Sequence, residues 1–231
     1  SVAEKCIKKK KHVFIEKPIT STIEEADKLL ALAKKNKVIV QVGHIERLNP
    51  ALRALEPYKI NPKFIEIQRL APYNTRGTDV PVVLDKMIHD IDIVLSLVDS
   101  KVRSISASGL SILTDSIDIA HAQIKFENGC VSSITSSRIA KDEVRKIKTF
   151  QQNLYSTVDL YKGLTEVYTV SKKGLDKKSF LMSVPFNYKN KTRHIIYEKP
   201  TIIKEDALKL ELINFTNSIK GLETPIVSGQ S

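Results

Sequence analysis

The chain has 231 residues, of which 42% are hydrophobic and 27% charged, a composition typical of a globular protein that buries its own core. No apolar run reaches the roughly 20 residues that span a bilayer, and no signal peptide is recognisable, so we expect neither a membrane protein nor a secreted one. Cys6 and Cys130 lie far apart without a C-x-x-C partner, which favours a reducing compartment and predicts a cytoplasmic location.

The net charge of +11 raises the question of a nucleic-acid or anionic partner. Lysines are scattered, and the densest run, residues 8–11, continues an amphipathic helix. No helix-turn-helix, zinc-finger or RNA-binding signature accompanies them, so a solvated surface is preferred to nucleic-acid binding. No cluster has the spacing of a metal site, and an anionic substrate remains compatible with the charge.

The first part of the chain has the pattern of a parallel sheet. A short apolar run at residues 12–16 predicts a buried strand, a capping box of Ser21 and Glu24 opens a helix, and residues 38–43 predict a second strand. Strand, helix and strand over this length form a βαβ unit, the tail of a doubly wound domain. None of the eight glycines forms G-x-G-x-x-G, so we expect the phosphate-binding turn upstream of Ser1 and interpret the chain as a fragment.

The pattern changes to a one-faced sheet in the rest of the chain. Asn49 and Pro50 open a helix, residues 63–70 alternate as a strand, and six further alternating segments follow residue 101, with a hairpin turn at residues 127–129. Residues 176–190 are predicted to form a loop, and residues 205–220 an amphipathic helix. The predicted fold class is therefore α/β followed by α+β: part of a Rossmann domain (residues 1–45), then an open, mostly antiparallel sheet with helices on one face (residues 46–231).

Between these strands, residues 79–98 predict one long helix with an apolar face (Val83, Met87, Ile91, Val94, Leu95 and Val98). Asp85, His89 and Asp92 recur at helical steps on an adjoining stripe. A histidine flanked by carboxylates can exchange a proton with a substrate hydroxyl near neutral pH. On spacing alone, a partly solvated histidine beside two surface acids is the preferred interpretation.

Two motifs in this order resemble the glucose–fructose oxidoreductase, inositol dehydrogenase and MocA family: V-F-I-E-K-P-I-T at residues 13–20 and D-K-M-I-H-D-I-D at residues 85–92. The resemblance covers essentially the whole chain. It implies a Rossmann domain that binds NAD or NADP, a sheet domain that binds a sugar, hydride transfer between the two ligands, and a homo-oligomer, dimer or tetramer. Residues 41–51, Q-V-G-H-I-E-R-L-N-P-A, are similar to members that act on nucleotide sugars, such as UDP-N-acetylglucosamine 3-dehydrogenases.

The resemblance also implies roles for individual residues. His89 is the expected proton acceptor, Lys17 the cation that steadies the developing alkoxide, and Asp85 a positioning group, all three in contact with substrate. Glu16, Lys17, Pro18 and His44 are expected to line the cofactor site, and the bond from Lys17 to Pro18 is expected to be cis. Oxidation of a UDP-amino sugar at C3 is the expected reaction, and the chain as given should be inactive.

Several residues have a structural alternative. Arg47 is predicted to pair with a diphosphate and Asn49 to contact the substrate, but Arg47 as a solvated side chain and Asn49 as a helix cap fit as well. Asp90 and Asp92 are expected to brace the helix against basic groups, and His12, His121 and His194 to be structural. Two other functions remain open: a non-catalytic binding or oligomerisation module of the same fold, and a dehydrogenase of a free sugar or inositol.

Overall fold

The chain divides into two units in the computed structural model, which describes residues 1–74, 80–171, 182–188 and 191–230. The first unit joins Ser1–Leu48 to Glu205–Ser231, and the second is Asn49–Lys204. The predicted boundary at residues 45 and 46 lies near the first division. The prediction kept residues 205–231 with the sheet domain, whereas residues 205–230 group with the first unit.

The helices are α1 (Val2–Lys8), α2 (Ile23–Asn36), α3 (Pro50–Arg53), α4 (Ile88–Leu97) and α5 (Ala207–Ile219), with a 3-10 turn at Ile45–Leu48 and a π-helical turn at Val83–Met87. The strands are β1 (Val13–Glu16), β2 (Val40–Gly43), β3 (Phe64–Leu70), β4 (Val102–Leu110), β5 (Ile119–Phe126), β6 (Val131–Ser137), β7 (Val144–Gln151), β8 (Leu154–Asp159), β9 (Leu164–Ser171), β10 (Met182–Tyr188) and β11 (Lys191–Glu198).

The first unit contains the predicted βαβ arrangement. β1 and β2 pair in parallel, with Glu16 opposite Gly43, and α2 connects them. A small core of Ile7, Leu29, Ala33 and Val40 joins the helices to the sheet. The last helix belongs here because the ring of Phe215 packs edge-on against Phe14 at 5.8 Å, and Gln41 Nε2 donates to the carbonyl of Glu211 at 3.4 Å.

The second unit is a sheet of nine described strands in the order β10-β11-β9-β8-β7-β3-β6-β5-β4. The one parallel pair among them is β3 with β6, so the predicted open, mostly antiparallel sheet is confirmed. Alternation places one set of side chains against α3 and α4, where Ile65, Ile67, Ile134 and Ile147 are fully or almost fully buried. The other set faces away from these helices.

Three predicted elements need correction. The cap of α2 is Thr22, whose hydroxyl accepts from the amide of Glu25 at 3.3 Å, so the capping pattern is displaced by one residue from Ser21 and Glu24. Residues 182–188, predicted as part of a loop, form strand β10, an edge strand in which Pro185 is tolerated. In α5 the buried residues are Glu211, Asn214 and Ser218, while the apolar Leu208, Leu212 and Ile213 are exposed.

The predicted central helix is a π-helical turn that continues into α4. Met87, Val94 and Val98 are buried as expected, but Leu95 is exposed because Ile93 occupies the position against the core. Asp92 is also buried, so the predicted polar stripe of three residues is solvent-accessible only at Asp85 and His89. The first predicted residue of this helix, Asp79, lies outside the described residues.

Candidate active site

One group of predicted site residues gathers at the carboxyl ends of β1 and β2. Because the two strands run in parallel, Glu16 and the following Lys17 lie at the same edge as Gly43 and the following His44. The peptide bond between Lys17 and Pro18 is cis, as expected. Glu16 is exposed, while Lys17 and His44 are half-buried. The edge therefore presents a carboxylate, an ammonium group and an imidazole.

The Glu16 carboxylate lies over the backbone of Gly43. A Cβ atom placed on Gly43 would come 3.1 Å from Glu16 Oε2 and 3.2 Å from its Cδ. Glycine thus leaves the space that the carboxylate occupies. An accepting carboxylate at a parallel strand end suits the hydroxyl groups of a ribose, so these residues fit the nicotinamide dinucleotide that the sequence predicts.

A second group lies on the helix of the sheet domain. Within the π-helical turn the amide of Ile88 donates to the carbonyl of Val83, and the amide of Asp85 donates to the carbonyl of Pro81 at 3.1 Å. Residues four apart share one side of a helix, so Asp85 and His89 lie one turn apart on a common side. The Asp85 carboxylate is 3.6 Å from Lys86 Nζ. Both residues lie in the π-helical turn, a structure that is frequent at functional sites.

The helix that carries His89 is held by a buried ion pair at the neighbouring position, Asp90. Arg69 on β3 donates hydrogen bonds to Asp90 on α4. Its Nε lies 3.0 Å from each carboxylate oxygen, and its Nη2 lies 2.9 Å from Oδ1. The two side chains are only 5% and 1% exposed. This bidentate contact holds α4 against the sheet, which confirms the bracing role expected for Asp90.

Arg47 and Asn49 have structural contacts. Arg47 donates to the carbonyl of Ile226 at 3.1 Å, which ties the 3-10 turn to the end of the described chain. Asn49 Oδ1 accepts from the amide of Ala51 at 3.0 Å and caps α3. The helix-cap alternative for Asn49 is thus observed, while the substrate role predicted for each residue stays a prediction.

Sequence reasoning missed a second buried ion pair, between Arg138 and Asp118. Arg138 Nε donates to Asp118 Oδ1 at 2.8 Å, and the side chains are 5% and 0% exposed. Burial opposes ionisation of Asp118, but hydrogen bonds from the amides of Ile112, Thr114 and Leu113 and from the Thr114 hydroxyl outweigh it and hold the pKa of the carboxyl well below its usual range. The available signal in the sequence was a charged residue, Arg138, directly after the alternating segment of residues 131–137.

The remaining histidines have structural contacts, as expected. His12 Nδ1 accepts from the amide of Ile39 at 2.9 Å, and His121 and His194 bond to the hydroxyls of Thr135 and Ser183. In the described part of the chain no group of histidine, cysteine and acidic residues is arranged to hold a metal, and no helix is long and apolar enough to cross a membrane.

Two family models match the chain. Residues 1–44 match an oxidoreductase family with an NAD-binding Rossmann fold, and residues 67–151 match the GFO/IDH/MocA C-terminal domain. The first match contains Glu16 and Lys17, and the second contains Asp85 and His89. The predicted cofactor class, NAD or NADP, agrees with the first of these descriptions.

Named relatives agree with these models. UDP-N-acetylglucosamine 3-dehydrogenase of Acidithiobacillus ferrooxidans is 31% identical over 220 residues, which are 95% of this chain and 66% of that protein. A solved structure of that enzyme has a TM-score of 0.85 at 30% identity and matches 99% of this chain and 68% of its own. Myo-inositol 2-dehydrogenase of Thermotoga maritima is 25% identical and covers 97% of this chain and 67% of that protein. The chain thus spans about two thirds of their length.

Proposed function

The chain belongs to the GFO/IDH/MocA family of oxidoreductases, and on that premise we propose that it is the larger part of an NAD(P)-dependent dehydrogenase of a UDP-amino sugar, oxidised at C3. Similarity to a UDP-N-acetylglucosamine 3-dehydrogenase along nearly the whole chain carries the proposal. A cation at the edge of a parallel sheet and an imidazole with a carboxylate on one helix supply the groups that alcohol oxidation needs.

In this proposal each residue has a separate task. His89 takes the proton of the reacting hydroxyl, and Asp85 orients the sugar or the imidazole. The Lys17 ammonium stabilises the negative charge that develops on that oxygen. Glu16, Pro18 and His44 line the cofactor site, and Arg47 and Asn49 contact the substrate, Arg47 at its diphosphate. A bound nicotinamide would supply the hydride acceptor for this reaction.

The test is turnover by the complete protein with NAD or NADP and a panel of UDP-amino sugars, followed by nicotinamide absorbance. Because a positioned general base contributes about 100- to 10,000-fold, His89→Ala should lower kcat by that range, and Lys17→Ala should also abolish most turnover. Matched controls are His121→Ala and Lys35→Ala, both at exposed positions, which should retain wild-type rates. Wild-type turnover by both site variants would overturn the mechanism.

A second candidate function is oxidation of a free sugar or an inositol, which the similarity to myo-inositol 2-dehydrogenase favours. The same panel decides between them if it includes free amino sugars and inositol. Higher kcat/KM with inositol than with any UDP-sugar would replace the first proposal. No turnover with any member, despite binding of NADH, would favour a non-catalytic binding module.

We also propose that the protein is a homo-oligomer assembled through the sheet face opposite α3 and α4. Five rings on adjacent strands form an aromatic row there: Phe64, Phe150, Tyr155, Tyr168 and Tyr197, with neighbouring centroids 4.8–5.8 Å apart. Phe64 and Phe150 are 36% and 38% exposed. Exposed aromatic residues are enriched at interfaces.

The favoured occupant of this face is a second copy of the chain. Beside the aromatic row runs a row of charged side chains of alternating sign, in which Glu66 pairs with Lys148 and Glu166 pairs with Lys199. This row is balanced in charge although the chain carries +11 overall, so the same rows of two copies can meet across a two-fold axis without net repulsion.

We also propose that the protein is cytoplasmic. The sequence reasoning rested on two unpaired cysteines, and both thiols are free in the structure. Burial raises the pKa of the Cys130 thiol, which disfavours the reactive thiolate. Fractionation of cells that express the complete protein would test the location.

A further inference from the structure

The Arg138 side chain is the centre of a hydrogen-bond network in the sheet domain. It follows the last residue of β6, is 4% exposed, and donates to Asp118 and to the carbonyl of Ile117 at 3.0 Å. It also donates to the hydroxyls of Thr114 and Ser116. A guanidinium carries five N–H groups in a fixed plane, so it can join several chain segments at once.

Asp118 organises the loop that carries these partners. Its Oδ2 accepts from the amides of Ile112, Leu113 and Thr114 at 2.7–3.0 Å, and its Oδ1 accepts from the Thr114 hydroxyl at 2.7 Å. The loop between β4 and β5 is therefore wrapped around one buried carboxylate. An arginine paired to that carboxylate is held in one orientation from both sides.

The network reaches the start of the candidate catalytic helix. Arg138 donates to the carbonyl of Val80 at 2.8 Å, and the Ile117 carbonyl accepts from the amide of Val82 at 2.9 Å. The intervening Pro81 carbonyl accepts from the amide of Asp85. The hydrogen bonds to Val80 and Val82 thus hold the chain on both sides of Pro81, whose carbonyl accepts from the Asp85 amide.

We propose that Arg138 and Asp118 are positioning residues, which set the entry of the chain into the π-helical turn and thereby the placement of Asp85 and His89. The inference rests on the proposed function for its catalytic consequence, but its structural part stands on the hydrogen bonds alone. Catalytic groups tolerate little displacement, and a misplacement of about 1 Å can cost about 100-fold in rate. A contact that fixes the entry of their helix is therefore a determinant of kcat.

The decisive variant is Arg138→Lys. Lysine keeps the positive charge beside Asp118 but replaces a planar fork by one ammonium group, so it cannot hold Asp118 and the Val80 carbonyl in the same way. Amide hydrogen exchange on this chain should become about tenfold or more faster at Val82, Asp85 and Ile88 and remain unchanged at Ile147 in the core. In the complete protein, kcat should fall more than KM changes.

The control for general destabilisation is Val158→Ala, which removes two methyl groups from a fully buried side chain on β8, away from Arg138. It should speed exchange throughout the unit without selecting the residues around Asp85. If Arg138→Lys gives that uniform pattern, or leaves both exchange and kcat unchanged, the positioning role is overturned. If the complete wild-type protein oxidises no sugar, the proposed function fails, and the exchange measurement still decides the positioning role.

Discussion

At the residue scale, Gly43 leaves the space that Glu16 occupies. In Gly43→Ala the new methyl group would lie 3.1 Å from the Glu16 carboxylate. That carboxylate is exposed and at the end of a flexible side chain, so it should move and the fold should survive. We expect little change in the free energy of unfolding but weaker NADH binding by the complete protein, measured by fluorescence titration.

The matched control for this prediction is a double-mutant cycle with Glu16→Ala. If the methyl group acts through the carboxylate, Gly43→Ala should have little further effect on NADH affinity once the carboxylate has been removed. Additive losses in the double variant would show that Gly43 acts by another route.

The two arginine pairs at Asp90 and Glu143 are predicted to differ in energy because they differ in burial. Asp90→Asn leaves Arg69 almost completely buried opposite a neutral group, which should cost about 3–5 kcal/mol. Glu143→Gln breaks a pair whose side chains are 28–39% exposed and should cost about 1 kcal/mol or less. Urea unfolding of both variants measures the difference, and equal losses would contradict the assignment of Arg69 and Asp90 as the anchor of α4.

At the scale of elements, the N-terminus of α2 depends on Thr22. Thr22→Ala removes the hydroxyl that accepts from the Glu25 amide and should destabilise the chain by about 1 kcal/mol. Ser21→Ala should have almost no effect, because the Ser21 contact to Glu25 is made by its backbone amide. Urea unfolding of both variants tests the cap, and a larger loss for Ser21→Ala would favour the position first predicted from the sequence.

The elements also show what the sequence could predict. Alternation identified β3 to β9, because a sheet with one covered face leaves a period-two pattern, whereas β1 and β2 were identified from short apolar runs. Strand β10 was missed because the segment of residues 176–190 is polar and irregular, and only the sheet order reveals that β10 is an edge strand, where Pro185 is tolerated. The π-helical turn was missed because the sequence spacing of Asp85 and His89 suits an α-helix equally well.

Residues of the candidate site could be predicted from the sequence where they belong to short motifs. Glu16-Lys17-Pro18 and Asp85-x-x-x-His89 are local patterns, and their resemblance to one family supplied their roles. The partners of Arg69 and Arg138 were not accessible, since they lie 21 and 20 residues away in the chain. Only a known strand order identifies which carboxylate meets which arginine.

The loop around Asp118 should give the sheet domain a recognisable dependence on pH. Because the folded pKa of Asp118 is lowered, the stability that its ionised form contributes is present above the unfolded pKa and is lost as the pH falls below the ordinary carboxyl range. Asp118→Asn should therefore be much less stable than wild type at neutral pH, and the gap should narrow below about pH 4. Urea unfolding at a series of pH values measures this gap.

Asp115 provides the control for the acid prediction. It lies exposed in the same loop, so Asp115→Asn changes the charge without removing the buried acceptor. Its stability relative to wild type should stay constant across the series. A constant gap for Asp118→Asn as well would mean that the buried carboxylate contributes no ionisation-linked stability.

At the scale of the whole molecule, the two faces of the large sheet have different tasks. The covered face carries the core and both buried arginine pairs, which hold the candidate catalytic helix. The opposite face carries the aromatic row and a balanced row of charges. One sheet can thus support a site on one side and self-association on the other, because period-two alternation separates the two sets of side chains.

This separation predicts that assembly can be disrupted without damage to the fold. Tyr168→Glu places a charge in the middle of the aromatic row, between Tyr155 and Tyr197, on a half-buried position away from the core. Burying that charge between two copies is costly, so the oligomer should dissociate, whereas the charge remains hydrated in the monomer. Sedimentation velocity of the complete protein should show a lower mass than wild type.

The control is Thr157→Glu, on the neighbouring strand β8 and the same face but one row away, among the charged pairs. It should weaken association less than Tyr168→Glu, since a charge beside Lys148 and Glu166 is more easily accommodated than one between rings. Circular dichroism should be unchanged for both variants. A wild-type protein that is monomeric at high concentration, or a Tyr168→Glu variant of unchanged mass, would rule out the aromatic row as the assembly surface.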